Sequence, residues 1–227
     1  ILPNNAFHHI DYFSCNSVAS KSLFDLCADV GVGKFIHLSS ANFLMPVDGC
    51  VSSSSSFSSS LRHPAYMASK IASDLLLLNS TGITDLYLVR PSSVYGYNIR
   101  SGLFRNLYDS LSHSKPVTLS HQGLWSADYF YAGDVAKCIL SLLDNVEPGL
   151  FILGSGSVTT IHEVAKSFVS LIGVGEDLIT LEPSSNDSSL LGSLHLVSCD
   201  QALSLLGRQP LSLTDGLNHA ISTYGKL

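Results

Sequence analysis

A tyrosine and a lysine stand four residues apart at the head of an apolar run, Tyr66 and Lys70 before residues 71–78. The alanine and leucine content of this run predicts a helix. Residues i and i+4 of a helix lie on one face, so the phenol and the ammonium project into the same space. A nearby ammonium lowers the pKa of a phenol, so the pair predicts proton chemistry. The same spacing also occurs in helices whose Tyr packs and whose Lys is solvated.

Stretches with the pattern of strands flank this helix. Residues 34–41 form a short apolar strand that ends in two hydroxyl side chains, Ser39 and Ser40. Residues 86–96 form a second strand that runs into Arg-Pro-Ser-Ser-Val-Tyr-Gly, a turn rich in Pro and Gly. The resulting order is strand, Ser-Ser, loop, helix with Tyr and Lys, and strand.

In this order the motifs resemble the extended short-chain dehydrogenase/reductase superfamily, of the NAD-dependent epimerase/dehydratase type that includes the UDP-galactose 4-epimerases. Residues 128–136 are similar to the family's Arg-Asp-Phe-x-Tyr-Val-x-Asp-Val-Ala, and residues 200–217 to its closing segment. The resemblance implies an α/β fold, a Rossmann-like doubly wound parallel sheet without its N-terminal part, and a small C-terminal substrate-binding lobe. The expected division of this single partial domain is a Rossmann part, about 1–95 and 128–155, and a mainly substrate-binding part, about 96–127 and 156–227.

The resemblance also implies a catalytic trio of Ser40, Tyr66 and Lys70. Tyr66 would remove or return the hydroxyl proton of the substrate, Ser40 would hold the same oxygen, and Lys70 would hold the ribose hydroxyls of NAD or NADP. The residues expected along the cofactor are Asn16, Ser39, Tyr66, Lys70, Pro91, Ser92 and Ser93. The residues alone leave plainer roles open, since Asn16 is also a good helix cap and the two serines are good caps for the strand end.

Two departures from the family pattern bear on the substrate. Ala127 replaces the Arg that reaches the diphosphate of nucleotide sugars in many members, which removes a strong charge-assisted contact. The Asp-Glu pair that sugar-nucleotide 4,6-dehydratases place just after the hydroxyl is absent after Ser40, which disfavours dehydration. The expected activity is an NAD(P)-dependent epimerase or reductase acting on a sugar nucleotide or a similar hydroxyl or keto substrate.

The family's glycine-rich turn, which holds the cofactor pyrophosphate at a helix N-terminus, has no counterpart in the sequence. Gly31-Val32-Gly33 precedes a strand, whereas such a turn follows one. Gly154-Ser155-Gly156 is better explained by a capping box, Thr160 with Glu163, that starts the next helix. The 227 residues are therefore expected to be the latter part of a longer enzyme, or else a noncatalytic remnant or interaction module that does not bind the cofactor.

Three local patterns lead to further expectations. Residues 16–30 predict a helix, with Val18, Leu23, Leu26 and Cys27 on an apolar face. Asp134 is expected to cap the N-terminus of a helix over residues 135–143. Residues 52–60, eight serines and one phenylalanine, predict a loop with too little apolar surface to order itself, an insertion rather than a cover for the substrate.

Composition narrows the partners and the location. A net charge of −6 without a Lys/Arg cluster makes nucleic acid and anionic membranes poor partners, and no apolar run is long enough to span a membrane. Five dispersed cysteines without a C-x-x-C pair fit reduced cytoplasmic thiols, and Lys166 stands where a zinc helix beginning at His162 would need its second His. We expect a cytoplasmic protein with a small-molecule substrate and no metal. The resemblance adds a homodimer through the Tyr66 helix and the helix before the Ser40 strand.

Overall fold

A computed structural model describes residues 8–58, 63–80, 84–96, 102–144, 146–183 and 195–224. The helices within these ranges are α1 His9–Tyr12, α2 Ala19–Asp29, α3 Pro64–Leu78, α4 Leu103–Ser112, α5 Ala132–Ser141, α6 Ile161–Ile172, α7 Asp200–Leu206 and α8 Leu213–Tyr224. The strands are β1 Lys34–Leu38, β2 Cys50–Val51, β3 Asp85–Pro91, β4 Ser93–Tyr95, β5 Val117–Leu119, β6 Ser126–Tyr131, β7 Gly149–Leu153, β8 Val158–Thr160, β9 Ile179–Leu181 and β10 Leu196–Val197. A π-helical turn, Phe13–Val18, joins α1 to α2.

The central sheet is parallel, with strand order β1-β3-β7. Because side chains alternate along a strand, β7 packs against helices on both faces. Leu153 belongs to a core cluster with Val135 of α5 and Ala202 of α7, whereas Ile152 packs with Met67 of α3. Helices on both faces of a parallel sheet define the doubly wound architecture, which confirms the predicted α/β fold class.

A second sheet lies beyond the carboxyl end of β3. Strand β4 pairs in parallel with β6, and β6 pairs antiparallel with β8. Helices α4, α6 and α8 cover this sheet through the largest core cluster, in which Tyr95 stacks on Phe104 with ring centroids 4.8 Å apart. Two short parallel pairs, β2 with β10 and β5 with β9, complete the strand pairing of the described residues.

The N-terminal helix differs from the sequence prediction. Helix α1, the π-helical turn and α2 follow one another, so the helical segment begins at His9 rather than at Asn16. The predicted apolar face is exposed, with relative exposures of 59% at Val18, 53% at Leu23 and 57% at Leu26. Phe24 makes the buried contact instead, and its ring meets Phe35 edge-on at 5.3 Å.

The two predicted helix caps have different outcomes. The capping box is confirmed, since Thr160 Oγ1 accepts the Glu163 N–H at 3.1 Å and Glu163 Oε2 accepts the Thr160 N–H at 2.8 Å. The N-cap assigned to Asp134 is wrong, because α5 already begins at Ala132. The Asp134 carboxylate is buried in the first turn, where it accepts the Leu211 N–H at 2.8 Å and pairs with Arg208. A distant cation and backbone amide therefore determine its role.

The serine-rich loop also departs from its prediction. Leu44 and Phe57 form an antiparallel bridge, in which Ser58 N–H donates to Phe43 O at 2.8 Å. The Phe57 ring meets Phe43 edge-on at 5.7 Å, so the one aromatic side chain of the run supplies the apolar contact that the serines lack. The prediction that this stretch cannot order itself is wrong for residues 52–58, and residues 59–60 lie outside the described ranges.

The structure also bears on membrane spans, cysteine pairing and metal binding, the three features for which composition led to expectations. None of the helices in the described ranges is long and apolar enough to cross a membrane. All five cysteines are free thiols. No group of three or more His, Cys, Asp or Glu side chains that could hold a metal ion occurs among the described residues.

Candidate active site

The predicted site residues begin at the carboxyl edge of the central sheet. Backbone hydrogen bonds extend the pairing of β1 and β3 past their ends, from Ser39 N to Val89 O at 2.7 Å and from Ala41 N to Pro91 O at 2.9 Å. Ser92 N continues the pairing to Leu153 O at 2.8 Å. Substrates and cofactors of open α/β sheets bind outside the carboxyl ends of the strands. The structure therefore brings the Ser39–Ser40 and Pro91–Ser92 segments together at such an edge.

Helix α3 brings the tyrosine and the lysine to the same edge. It begins at Pro64 after His63, which adopts a left-handed conformation with φ 51° and ψ 61°. Tyr66 and Lys70 are both half-buried, one turn apart on the helix. The Lys70 ammonium donates a hydrogen bond of 2.7 Å to Leu38 O, at the end of β1. This bond ties the face of α3 that carries Tyr66 and Lys70 to a point two residues before Ser40.

The ionisation of the pair differs from the sequence prediction. Burial raises the pKa of Tyr66, and the neighbouring Tyr12 phenol, whose ring centroid lies 6.0 Å away, adds to the increase. Burial lowers the pKa of Lys70, while Asp74 opposes that decrease. The expectation that Lys70 lowers the pKa of Tyr66 is therefore wrong for this arrangement. The physical reason is that desolvation of the phenolate dominates, while the ammonium is directed at Leu38 O.

Ser40 is linked to the start of the second sheet. Its Oγ accepts the Asn42 N–H at 3.1 Å, and Asn42 Nδ2 in turn donates to Ser93 Oγ at 3.4 Å. No acceptor for the Ser40 hydroxyl proton and no partner for the Tyr66 hydroxyl occur among the described residues. Both hydroxyls are thus available for a substrate oxygen.

Three of the residues expected along the cofactor bind the protein itself. Asn16 is buried within the π-helical turn and donates to Ser69 Oγ at 3.0 Å, so the interpretation of Asn16 as a helix cap is wrong. Ser92 Oγ donates to Asp128 Oδ1 at 2.8 Å. Ser39 Oγ is buried without a well-formed hydrogen bond to any described residue, and it faces the carboxylate of Asp74.

Asp128 has a role that the sequence interpretation missed. Its buried carboxylate accepts four hydrogen bonds, and the donors are Ser92 Oγ at 2.8 Å, Ser155 N at 2.8 Å, Gly156 N at 3.1 Å and Val197 N at 3.2 Å. Burial raises the pKa of Asp128, and the hydrogen bonds from Ser155, Ser92 and Val197 oppose the increase. The carboxylate therefore joins the ends of β3, β7 and β10. The signal available in the sequence was an acidic residue inside the apolar strand β6, a position that requires partners.

A buried ion pair behind Lys70 was also missed. Asp74, one turn after Lys70, is fully buried and accepts the Arg90 Nε–H at 2.8 Å. The Arg90 guanidinium lies over the Phe43 ring at 5.6 Å and the Phe57 ring at 5.4 Å. The acid placed four residues after the lysine and the Arg at the end of a buried strand were visible in the sequence, but their pairing requires the tertiary structure.

His37 of β1 completes this buried polar cluster. Its Nε2 lies 3.0 Å from Ser73 Oγ on α3 and 4.0 Å from Asp74 Oδ1. Burial, with a contribution from the positive charge of Lys70, lowers the pKa of His37 to about 4. The imidazole is therefore neutral at physiological pH, and it packs β1 against the helix that carries Tyr66.

A cavity of about 580 Å³ opens beside Ser93, between the second sheet and α4. Phe104 and Leu103 of α4, Tyr129 of β6 and Trp125 contribute to its wall. The volume is within the range of roughly 300–1,000 Å³ that is typical of small-molecule sites.

The residues present fit one side of a nicotinamide cofactor. The Lys70 ammonium has three N–H groups, and among the described residues Leu38 O is its one hydrogen-bond acceptor. The remaining N–H groups are suited to ribose hydroxyls. The sequence contains no Gly-x-x-Gly-x-x-Gly turn for the pyrophosphate.

Solved structures of other proteins share this fold. The UDP-glucose 4-epimerase of Thermotoga maritima, solved with UDP-glucose, superposes with a TM-score of 0.80 at 19% identity, over 99% of this chain and 76% of the other. The Bordetella bronchiseptica enzyme WbmG, solved with NAD and UDP, also gives a TM-score of 0.80 at 17% identity, over 99% of this chain and 70% of the other. At these identities the similarity shows the Rossmann-like fold.

A curated relative and a family model provide sequence-level matches. The 3beta-hydroxysteroid-dehydrogenase/decarboxylase isoform 2 of Arabidopsis thaliana is 30% identical over 93 residues, 39% of this chain, and the match spans 16% of the relative's length. Residues 3–154 match the model of the NAD dependent epimerase/dehydratase family, for which NAD is the named cofactor. Because this match includes more than half of the chain, it confirms the resemblance seen in the motifs: the protein belongs to the NAD dependent epimerase/dehydratase family.

Proposed function

We propose that the protein is an NAD-dependent epimerase or oxidoreductase that acts at a secondary alcohol or ketone, with Ser40, Tyr66 and Lys70 as its catalytic residues. The observation that carries the proposal is the hydrogen bond from Lys70 to Leu38 O. It fixes the Tyr/Lys face of α3 beside the strand end that presents Ser40. Two free hydroxyls and an ammonium with unused donors are thereby grouped at the carboxyl edge of a parallel sheet.

Each member of the trio has a separate task. NAD supplies the acceptor and donor of hydride when it is bound. Ser40 donates a hydrogen bond to the reacting oxygen, and Tyr66 exchanges a proton with that oxygen. Because burial raises the pKa of Tyr66, the phenol is protonated at neutral pH and is suited to give a proton to a ketone oxygen. Lys70 holds the ribose hydroxyls with the donors that Leu38 O leaves unused.

The remaining residues predicted at the cofactor differ in their proposed roles. Pro91, Ser92 and Ser93 follow one another at the end of β3 and line the nicotinamide side. The side chains of Asn16 and Ser92 position this wall, since they bind Ser69 and Asp128. Ser39 is proposed to contribute through its backbone, because its side chain is buried beside Asp74.

Two substrate classes follow from the comparisons. The T. maritima enzyme was solved with UDP-glucose, and the Arabidopsis relative is named for 3β-hydroxysteroids. Both compounds carry a secondary hydroxyl group that Tyr66 and Ser40 can serve. A sugar nucleotide or a similar hydroxyl or keto compound is therefore the proposed substrate, held by the part of the chain at about 96–127 and 156–227 against the Rossmann part.

A homodimer through α2 and α3 is part of the proposal. Leu23 and Leu26 of α2 have relative exposures of 53% and 57%, and Leu75 and Leu78 of α3 are each 47% exposed. The two helices contact each other, and a second copy would cover these exposed leucines. The five free thiols favour a reducing compartment, and the cytoplasm is the proposed location.

Calorimetric titration of the full-length protein with NAD tests the function. We expect binding that Lys70→Met weakens by about 10- to 100-fold, because a charge-assisted contact to the ribose is lost. Lys115→Met, which removes an exposed lysine before β5, serves as the matched control and should leave the affinity unchanged. Absence of NAD binding would refute the proposal. It would favour the noncatalytic remnant that the missing glycine-rich turn allows.

A further inference from the structure

The residues that line the cavity beside Ser93 favour one of the two proposed substrate classes over the other. We propose that it holds the apolar body of a neutral secondary alcohol or ketone, with the size and polarity of a steroid, rather than a nucleoside diphosphate sugar. This inference rests on the proposed function, because the reacting oxygen must reach Ser40 and Tyr66. It extends that function by naming the chemistry that recognises the rest of the substrate.

The wall of the cavity is suited to an apolar ligand. Eleven described residues line it, of which seven have apolar or aromatic side chains, and none is Lys, Arg, Asp or Glu. Phe104, Trp125 and Tyr129 present three aromatic rings. Among the described lining residues, His121 is the one side chain that can become cationic. A diphosphate would have to be desolvated against this wall without a guanidinium or ammonium to replace its water.

The charge next to the cavity has the wrong sign for a diphosphate. Ser120 lines the cavity and donates a hydrogen bond of 3.1 Å to the Glu182 carboxylate. The position at which the family resemblance expects an Arg holds Ala127, which is fully buried in the core cluster that also contains Phe104 and Tyr129. Ala127 lies two residues before Tyr129 on β6, so the two side chains share one face of the strand. An anion in the cavity would thus lie near a carboxylate that is bound to one lining residue, and strand β6 carries no compensating cation.

The polar end of the cavity leads toward the catalytic residues. Ser93 lines the cavity, and its Oγ accepts a hydrogen bond from Asn42 Nδ2 at 3.4 Å. The backbone N–H of Asn42 donates to Ser40 Oγ at 3.1 Å. Hydroxyl and amide groups therefore run from the cavity to Ser40, while seven of the eleven described lining residues are apolar or aromatic. A molecule with one oxygen on an apolar body matches this distribution of polar groups.

Trp125 offers a direct measurement, because it is the single tryptophan of the chain and it lines the cavity. The full-length protein is titrated without cofactor, once with dehydroepiandrosterone, a neutral 3β-hydroxysteroid, and once with UDP-glucose, and the emission of Trp125 is followed. We expect a saturable blue shift with the steroid. UDP-glucose should give no saturable change at ~100-fold the half-saturating concentration of the steroid, because the described lining residues include no Lys or Arg to pair with its charges.

A pair of variants locates the binding. Val94 lines the cavity and is 43% exposed, so Val94→Asp adds a charge to the wall without disturbing the core. It should weaken steroid binding by at least ~10-fold, because the ligand would cover an unpaired carboxylate. Val47, which is 47% exposed and lies outside the cavity lining, provides the control, and Val47→Asp should leave the binding unchanged.

Saturable binding of UDP-glucose without the steroid would overturn the proposed substrate class and leave the catalytic proposal standing. The proposed substrate class would also be overturned if neither ligand changed the emission of Trp125, or if the two valine variants weakened steroid binding equally. Because no cofactor is added, the outcome is independent of NAD affinity. Steroid binding in a protein that fails to bind NAD would refute the proposed function and not the cavity assignment.

Discussion

The ammonium of Lys70 lies 2.7 Å from the carbonyl oxygen of Leu38, the last residue of β1. One side chain thereby connects the helix that carries the proposed acid to the strand that leads to Ser40. Tyr66 stands one turn earlier on the same helix, so the position of its phenol relative to Ser40 depends on how α3 is docked against the sheet.

Replacement of Tyr66 by Phe removes the hydroxyl that is proposed to transfer the proton and keeps the rest of the side chain. We expect turnover to fall by about 100- to 10,000-fold, the usual contribution of a general acid or base. The affinity for NAD should change little, because the variant keeps Lys70, the residue proposed to hold the ribose. Steady-state kinetics and calorimetry of Tyr66→Phe measure the two effects separately.

Tyr12 provides the matched control, since its ring meets Tyr66 edge-on at 6.0 Å. Tyr12→Phe deletes a neighbouring phenol without touching the acid and should retain turnover. Because Tyr12 raises the pKa of Tyr66, its removal should move the pH–rate profile toward lower pH. Full turnover in Tyr66→Phe would show that another group transfers the proton.

Removing one partner of the buried ion pair between Asp74 and Arg90 is expected to destabilise the fold. Arg90→Met leaves the fully buried Asp74 carboxylate without its cation, which we expect to lower the free energy of unfolding by about 3–5 kcal/mol. The double variant Asp74→Leu with Arg90→Met should recover much of the loss, because no unpaired charge remains. Urea unfolding measures each value.

An exposed ion pair on α2 serves for comparison. Lys21 pairs with Asp25 at the surface, and Lys21→Met should cost at most about 1 kcal/mol. A loss of this small size in Arg90→Met would mean that water reaches Asp74 and that the pair does not hold α3 against the sheet.

Local patterns in the sequence predicted the parts of the fold that depend on neighbouring residues. The Tyr66 helix, the strand before Ser40 and the capping box of Thr160 with Glu163 each follow from residues within one or two turns. The resemblance of the motifs also led to the correct family. These features do not require knowledge of distant partners.

The sequence predictions were wrong where a residue distant in the chain, or burial, determines the local structure or the pKa. Asp134 has the chemistry of an N-cap, but Arg208 and Leu211 bind its carboxylate from the far end of the chain. The serines of residues 52–58 gave no indication of ordered structure, whereas the Phe57 ring packs edge-on against Phe43 across the loop. The lowered pKa expected for Tyr66 depended on burial, which spacing alone does not reveal.

Asp128 should be intolerant of the nearly isosteric change to asparagine. The four donors that converge on its carboxylate need acceptors on both oxygens, and the amide group of an asparagine side chain would direct N–H bonds at some of them. We expect Asp128→Asn to lower the free energy of unfolding by about 2–4 kcal/mol, because buried N–H groups lose their partners. Amide hydrogen exchange should also accelerate at Ser155 and Gly156.

The exposed Asp29 at the end of α2 is the control for that change. Asp29→Asn should alter stability by at most about 0.5 kcal/mol, since it lies on the surface away from the strand ends. Unchanged exchange at Ser155 and Gly156 in Asp128→Asn would show that these amides do not depend on the carboxylate.

His37 makes the stability of the fold depend on pH in a defined window. The pKa of His37 is about 4 in the folded chain and 6.5 as a free side chain. At pH values between these two, the imidazole is protonated in the unfolded state but neutral in the native state. Stability therefore falls as the pH drops below 6.5 and levels off near 4. The total loss is on the order of 3 kcal/mol by the usual conversion of a pKa difference into free energy.

The comparison of the unmodified protein with His37→Gln isolates this effect. Gln can keep a hydrogen bond to Ser73 but does not titrate, so its stability should fall less over the same window. Burial raises the pKa of Asp74 and Asp128, which acts in the opposite direction as their native forms take up protons, but both proteins share these two groups. The two unfolding free energies, measured by urea titration at several pH values, should therefore diverge steadily between pH 6.5 and pH 4. Parallel curves would mean that the imidazole is protonated in the native state, with Asp74 as its counter-ion.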